Sequence, residues 1–194
     1  MDWNGNKGEL KSALKLALKN KIDYPWIRID DYTSQETPKT LFVDKENITT
    51  LSWHKTNDFS KMQEVRQCYG ICFNDKNQIL IVNNKGKWFL PGGTSEKGET
   101  FEQTLRREID EEADVEIEDI KPLGYNKIED VKNEKKSVFY QLRFVARVSK
   151  IKKQALDPAT NTQFKRKFID PKDFLAYALW GRPGEEMIKD ALRF

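Results

Sequence analysis

Three glutamates near the middle of the chain have a spacing that could serve chemistry. An α-helix would place Glu108, Glu111 and Glu112 within an arc of about 100°. Carboxylates at this spacing repel one another, and the helix dipole also disfavours them near a helix C-terminus. A divalent cation would reverse both effects, and Mg²⁺ prefers carboxylate oxygens and also binds phosphates. The spacing therefore indicates a metal site, with an ordinary solvated helix face as the alternative.

The surrounding residues favour the metal site over that alternative. Glu99 adds a fourth carboxylate, and Arg107 directly precedes the first of the three glutamates. The arginine could orient a carboxylate or meet a phosphate, although a plain i,i+4 ion pair would also explain its position. Upstream, Gly92 and Gly93 could bring backbone close to a ligand or allow a sharp turn.

One predicted helix, over residues 101–113, positions these side chains. Thr100 and Gln103 form a capping-box pattern, so the helix should begin just after Thr100. An apolar stripe that spans roughly 120° lies beside the glutamates. Its members are Phe101, Leu105, Ile109 and Ala113. The stripe would pack on a core and leave the carboxylates along its edge.

The segment from Gly93 to Val115 resembles the Nudix box. That signature is Gly, any five residues, Glu, any seven, then Arg-Glu-apolar-any-Glu-Glu-any-Gly-apolar. The chain matches it everywhere except at the last glycine, which is Asp114. Six fixed residues agree by chance roughly once in ten million starts. Since that glycine would be a left-handed helix cap, which Asp tolerates better than most residues, we expect a modest stability cost and no lost metal ligand.

Nudix enzymes hydrolyse nucleoside diphosphates linked to a second moiety, and the resemblance implies a role for each box residue. The implied ligands of Mg²⁺, with Mn²⁺ as the alternative ion, are Glu108, Glu111 and Glu112, with Glu99 joining through water. Arg107 would hold a box glutamate in place, and Gly92 and Gly93 would shape the loop under the metal. The metal would neutralise charge during in-line attack of water on phosphorus.

The general base and the substrate contacts stay open. A box glutamate is one candidate base, and the others are Glu129 and Asp130 in a predicted strand-to-strand turn and Asp157 in a basic loop. Trp88 could stack on a base and Lys87 could reach phosphates, with core packing and a solvated lysine as the alternatives. The signatures of ADP-ribose, diadenosine polyphosphate and NADH hydrolases are missing after the box, so the leaving group is not named.

Two further functions remain as alternatives. One is a catalytically silent Nudix-fold nucleotide sensor or regulator, but such proteins typically have eroded box glutamates and this chain keeps all four. The other is an RNA-associated protein that uses the basic loop. The formal net charge is only +3, from 34 basic and 31 acidic residues, which is too balanced to indicate nucleic-acid binding. The expected partner is therefore a nucleotide-type small molecule.

The order of predicted elements indicates an α/β (α+β) protein, a Nudix-like α/β/α sandwich with a mixed sheet. Around the 101–113 helix, strands are predicted at 69–73, 78–82, 120–130, 137–148 and 164–169. Polar loops are predicted at 83–87 and 149–162. Asp170 and Pro171 predict a helix that runs to residue 180, followed by a break at 181–184 and a last helix over 185–192.

Residues 1–62 are predicted to form an N-terminal α/β appendage, and residues 63–194 the Nudix domain. The appendage should hold a helix at 9–20, strands at 40–43 and 48–53, and a linker at 54–61. The resemblance does not cover it. It could pack on the domain, supply a substrate lid or mediate a homodimer.

Composition favours a cytoplasmic enzyme. No apolar run approaches the roughly 18 residues that a membrane span needs, and the first residues do not form a signal peptide, so no membrane contact is expected. With two cysteines, Cys68 and Cys72, and one histidine, the chain falls short of a four-ligand structural zinc site. Both cysteines lie in a predicted strand, where we expect buried thiols.

Overall fold

The computed structural model describes residues 27–31, 37–43, 47–132, 135–156 and 164–194. The strands are β1 (Ile27–Asp31), β2 (Lys39–Val43), β3 (Asn47–Lys55), β4 (Val65–Phe73), β5 (Ile79–Asn84), β6 (Lys87–Phe89), β7 (Gly92–Gly93), β8 (Val115–Lys132), β9 (Lys135–Ile151) and β10 (Lys165–Ile169). The helices are α1 (Phe101–Ala113), α2 (Phe174–Tyr177) and α3 (Gly181–Ala191), with a 3₁₀ turn at Pro171–Asp173. The predicted 9–20 helix lies outside the described residues.

The strands form one mixed sheet in the order β1-β2-β3-β8-β9-β4-β5-β10, with β6 paired to β5 and β7 to β4. Strands β4 and β9 run parallel, and the other described pairs are antiparallel. The predicted strands at 40–43 and 48–53 are confirmed as β2 and β3. All of β3 pairs with β8, so β1 to β3 extend the sheet at one edge.

Each face of the sheet carries its own buried cluster, because successive side chains of a strand point to opposite faces. On one face, Leu105 and Ile109 of α1 pack with Leu142 of β9. On the other, Met187 of α3 packs with Val145 of the same strand. The α/β/α sandwich with a mixed sheet is therefore confirmed.

The two cysteines are buried and free, as expected. Burial raises the pKa of the Cys72 thiol to about 12. Among the described residues, no helix combines the length and the apolar character that crossing a membrane would take.

Several predicted boundaries were wrong because pairing extends strands that the local pattern ended too early. Strands β8 and β9 form a long hairpin, so the candidate bases Glu129 and Asp130 lie within β8 and not in a turn. The predicted loop at 83–87 was also wrong at both ends. Asn83 and Asn84 end β5, and Lys87 begins β6, which pairs back onto it.

The region after β10 differs from its prediction in two ways. Asp170 caps as expected, since its side chain accepts a hydrogen bond from the Lys172 N–H, but a 3₁₀ turn and the four-residue α2 replace the single helix to residue 180. The predicted break at 181–184 was wrong, because α3 begins at Gly181. Pro183 falls in its first turn, where no backbone donor is needed.

Candidate active site

Helix α1 begins and ends as the sequence predicts. Thr100 accepts a hydrogen bond from the Gln103 N–H, and the Gln103 side chain accepts one from the Thr100 N–H at 2.8 Å, which completes the capping box. Asp114 ends the helix in the left-handed conformation, with φ 50° and ψ 48°. Its carboxylate accepts a hydrogen bond from the Ala155 N–H at 2.9 Å. Because a glycine could not make that contact, the aspartate gains a bond to the segment that follows β9.

Arg107 is the centre of the carboxylate cluster. It binds Glu99 through two nitrogens, with Nε–Oε1 at 2.7 Å and Nη2–Oε2 at 3.1 Å. Its Nη1 also contacts Glu108 at 3.1 Å and Glu111 at 3.0 Å, and Nη2 donates to the Thr94 carbonyl. The i,i+4 pair with Glu111 therefore exists, but as one of three ion pairs. A guanidinium shared in this way fixes the relative positions of carboxylates from the loop and the helix.

The cluster shifts the acidity of its members in opposite directions. The hydrogen bonds from Arg107, and then the one from the Glu96 N–H, lower the pKa of Glu99 to about 2. Burial raises the pKa of Glu108, and the nearby Arg107 opposes that rise only in part. Glu99 is thus held firmly as the anion, whereas Glu108 occupies a less favourable place for charge.

The two glycines of β7 make room for the glutamates. The Gly92 N–H donates to Glu112 Oε2 at 2.8 Å, and its φ of +142° would strain any other residue. A Cβ on Gly93 would lie 2.4 Å from the Glu108 carboxyl carbon. Strand β7 pairs with β4, which holds both glycines against the helix. Backbone therefore sets the positions of Glu108 and Glu112, as Arg107 does those of Glu99 and Glu111.

The donor chemistry of the cluster fits a hard divalent cation, although the side chains are turned toward the arginine. Three carboxylates bind one guanidinium and Glu112 binds the Gly92 N–H, which leaves excess negative charge. Carboxylate oxygens are also the ligands that Mg²⁺ prefers. Within the described part of the chain, no three acidic, histidine or cysteine side chains converge closely enough to hold an ion as they stand. The residues thus fit the metal in the type of ligand atom and in charge. Glu108 and Glu111, however, are bound to Arg107 in this arrangement.

A cavity of about 800 Å³ lies on the α3 face of the sheet and contains the two predicted substrate contacts. Lys87 and Trp88 line it, and the Trp88 ring meets Tyr177 edge to face at 5.8 Å. Trp88 thus packs on the core and also faces the cavity. Its position is compatible both with core packing and with a contact to a ligand. Tyr69 of β4 lines the same cavity and is in register with Gly92. The cavity and the glutamate cluster are therefore neighbours across β4 and β7.

A protein-family comparison decides the family. The model of the NUDIX domain matches residues 63–190, well over half of the chain, and includes every residue of the glutamate cluster. The chain belongs to the Nudix family. The resemblance read from the box is confirmed at the level of the family.

Individual relatives agree with the Nudix assignment. The chain is 34% identical over 61 residues to the zebrafish (Danio rerio) 8-oxo-dGDP phosphatase NUDT18, and the match covers 27% of this chain and 19% of that protein. The pyrophosphohydrolase BsRppH of Bacillus subtilis superposes with a TM-score of 0.59 at 18% identity, covering 75% of this chain and 91% of the other. A NUDIX hydrolase from Nitrosomonas europaea gives 0.50 at 16% identity, covering 68% and 90%. At these identities the superpositions support the fold alone.

The candidate bases outside the Nudix box have different surroundings. Glu129 binds Lys127 at 2.9 Å on the α1 side of β8. Asp130 points to the other side, in register with Thr49, and its buried Oδ1 has no hydrogen-bond partner among the described residues. Asp157 lies outside the described residues. Of the two that can be placed, only Asp130 is on the face of the sheet that holds the cavity.

Most residues that line the cavity carry no signal in the sequence. Tyr69, Asn126, Gln141 and Tyr177 all line it. They come from three strands and a helix, and no motif links them. The alternation of β8 could have indicated that Asn126 shares a face with Ile128, but not what that face meets.

Proposed function

We propose that this protein hydrolyses the diphosphate linkage of a nucleoside diphosphate-X substrate by attack of water on phosphorus, with Mg²⁺ as the cation and Mn²⁺ as the alternative. The observation that carries the proposal is the retention of all four glutamates in the family-matched segment, three of them bound to Arg107 and the fourth, Glu112, to the Gly92 N–H. The similarity to a phosphatase named for a nucleoside diphosphate agrees with it.

Each residue of the cluster has a role in this proposal. Glu108, Glu111 and Glu112 would hold the cation, which when bound would neutralise charge on the diphosphate as water attacks. The Gly92 N–H orients the Glu112 carboxylate. Arg107 keeps Glu99 ionised and in place beside the ligands. Such second contacts fix the geometry of metal ligands in many enzymes.

We favour a box glutamate as the general base over the acids of β8. Glu129 is engaged by Lys127 at 2.9 Å on β8. The box glutamates, in contrast, lie among the proposed metal ligands, with Glu112 beside Gly92 and Glu108 beside Gly93. Asp130 and Asp157 remain as candidates for mutation.

We also retain the division of the chain into a Nudix domain from residue 63 and an N-terminal appendage as a proposal. The family match begins at residue 63. Strands β2 and β3 nevertheless belong to the same sheet, so the appendage would be an extension of the domain's edge.

The proposal is tested with pure protein and a panel of nucleoside triphosphates, dinucleoside polyphosphates, nucleotide sugars and ADP-ribose. Product release is measured by chromatography with Mg²⁺ and with EDTA. The variants are Glu112→Gln and, as a control on the same helix, Glu102→Gln, whose exposed carboxylate binds only Arg106 among the described residues. We expect metal-dependent cleavage that Glu112→Gln abolishes and Glu102→Gln preserves.

The second candidate is a nucleotide sensor without turnover. It is favoured by the engagement of Glu108 and Glu111 with Arg107, which leaves no three-ligand site assembled among the described residues. Tight nucleotide binding without cleavage of any compound in the panel would contradict the hydrolase and support the sensor.

A further inference from the structure

The C-terminal end of α1 is held by an arginine from a distant strand. The last carbonyls of a helix have no partner within the helix itself. Arg166 of β10 supplies donors at this end, since its Nη1 donates to the Ala113 carbonyl at 2.5 Å and to the Asp114 carbonyl at 3.1 Å. Its Nη2 donates to the Lys152 carbonyl at 2.6 Å. One guanidinium therefore joins the helix end to β10 and to the segment that follows β9.

This contact lies in the turn of α1 that carries two of the box glutamates. Glu111 and Glu112 directly precede Ala113, the last residue of the helix. The ends of helices fray more readily than their interiors, and a carboxylate in a frayed turn moves with its backbone. The hydrogen bond from the Gly92 N–H holds the carboxylate of Glu112, but not the backbone from which it projects. Arg166 acts on that backbone.

The same helix end departs from the Nudix box, which has a glycine where this chain has Asp114. Its left-handed conformation, with φ 50°, is strained for a residue that has a side chain. Contacts from outside the helix hold it there. The Lys152 N–H donates to the Asp114 carbonyl at 2.8 Å, and the Asp114 carboxylate accepts from the Ala155 N–H at 2.9 Å. The segment that Arg166 binds through Lys152 is thus the segment that fixes the helix cap.

Charge and position make opposite predictions for this arginine. The C-terminal end of a helix carries partial negative charge, which disfavours Glu111 and Glu112, and a guanidinium at that end offsets it. A positive charge by itself would also repel a cation bound by those glutamates. If charge alone mattered, removing Arg166 would tighten cation binding. If the arginine holds the glutamates in place, removing it would weaken cation binding.

We propose that Arg166 is a positioning residue of the glutamate cluster, which fixes the last turn of α1 from β10 and so holds Glu111 and Glu112 where a divalent cation needs them. The inference rests on the proposed function, because it takes these glutamates as ligands of the cation. Groups that orient metal ligands from outside the ligand set affect metal affinity in many proteins. Arg166 lies outside the box and belongs to no motif.

The test measures the affinity of the protein for Mn²⁺ without any nucleotide, by calorimetry and by electron paramagnetic resonance of the free ion. Arg166→Met removes the guanidinium, and Arg166→Lys keeps the charge without the planar fork. Measurements are made well below the melting temperature of every variant, so that differences in global stability do not change the affinity of the folded protein. Hydrogen exchange of residues 110–114 reports on the helix end directly.

Two control variants match the change in charge and the loss of a contact. Lys165→Met removes an exposed positive charge at the preceding position of β10, which points to the opposite face of the sheet. Gln154→Ala removes the hydrogen bond from Gln154 Nε2 to the Phe164 carbonyl, at 2.8 Å. That bond joins the segment after β9 to the start of β10 and does not involve α1.

We expect Arg166→Met to weaken Mn²⁺ binding by about 10-fold or more, as for other groups that orient metal ligands. Hydrogen exchange of residues 110–114 should be faster in this variant. Arg166→Lys should bind about 3-fold more weakly than the wild type, because an ammonium replaces only part of the fork. Lys165→Met and Gln154→Ala should bind within about 2-fold of the wild type, since they change exposed or remote contacts.

Two results would overturn the inference. One is Mn²⁺ affinity that is unchanged or tighter in a folded Arg166→Met variant. The other is a loss in Gln154→Ala as large as that in Arg166→Met, which would assign the effect to the segment and not to the helix end. Glu112→Gln separates this failure from that of the proposed function. If the inference alone fails, only Glu112→Gln weakens Mn²⁺ binding; if the glutamates hold no cation, neither variant does.

Discussion

The glutamate cluster and the cavity are neighbours in the fold, but they are built on opposite principles. In the cluster, Arg107 pairs with Glu99, Glu108 and Glu111. The Gly92 N–H binds Glu112. In the cavity, aromatic rings from separate elements form much of the lining, among them Tyr69, Trp88 and Tyr177. The cluster residues are thus positioned by charge pairing within one helix and its loop, whereas the cavity depends on packing between several strands and α2.

The two glycines of β7 give the sharpest way to separate folding from function in the cluster. Gly92→Ala should destabilise the protein by on the order of 3 kcal/mol. The reason is that its Cβ would lie 2.1 Å from the Cys68 carbonyl oxygen, at a φ of +142°. Chemical denaturation measures the loss as the difference in the free energy of unfolding between the two proteins, provided that their m-values are equal. A variant as stable as the wild type would show that β7 is not held against β4 as described.

Gly93→Ala should spare stability and damage activity. The new methyl group would meet only the Glu108 carboxyl at the closest contacts, and that flexible side chain can turn aside. Displacing a catalytic group by about 1 Å can lower the rate by roughly 100-fold. Steady-state kinetics beside a thermal melt tests this. Full activity in a folded Gly93→Ala protein would mean that the position of Glu108 does not matter for turnover.

Arg107→Lys should have a smaller effect, because it keeps the charge and loses the planar fork. One ammonium cannot reproduce the paired contacts with Glu99 together with those to Glu108 and Glu111. We expect kcat/KM to fall by about 10- to 100-fold, as is usual when a group that orients metal ligands is lost. Arg106→Lys, one residue away and paired with the exposed Glu102, is the matched control and should keep its activity.

Glu102→Gln should change stability least, by roughly 0.5 kcal/mol or less, because exposed i,i+4 ion pairs contribute little. Thermal melts at low and high salt measure the difference. A large loss of either stability or activity would show that residues of α1 outside the Glu108, Glu111 and Glu112 face also contribute to folding or catalysis.

Local spacing explains why the cluster was predictable and the cavity was not. The span of α1, its capping box and the left-handed Asp114 follow from residues within one helix, and the structure confirms all three. Strand β6 was missed because three residues, 87–89, form a strand only by pairing with β5. The cavity floor depends on the register of five strands, which no single stretch of sequence contains.

The errors near the C-terminus have a related cause. A Gly-Arg-Pro-Gly sequence ordinarily predicts a helix break, but here α3 begins at Gly181 and its glycines and proline occupy the first turn. The local pattern predicts a turn at Glu129 and Asp130, but pairing with β9 continues β8 to Lys132. In both places tertiary pairing and packing override local preference.

The measurement that tests the account most directly is a comparison of kcat and KM for Glu112→Gln and Glu102→Gln on the best substrate of the panel. Glu112 is a proposed metal ligand, whereas Glu102 is an exposed carboxylate on the same helix. We therefore predict that Glu112→Gln lowers kcat by at least about 100-fold, whereas Glu102→Gln keeps the wild-type kcat and KM. Metal-dependent turnover that persists at the wild-type rate in Glu112→Gln would contradict the central claim.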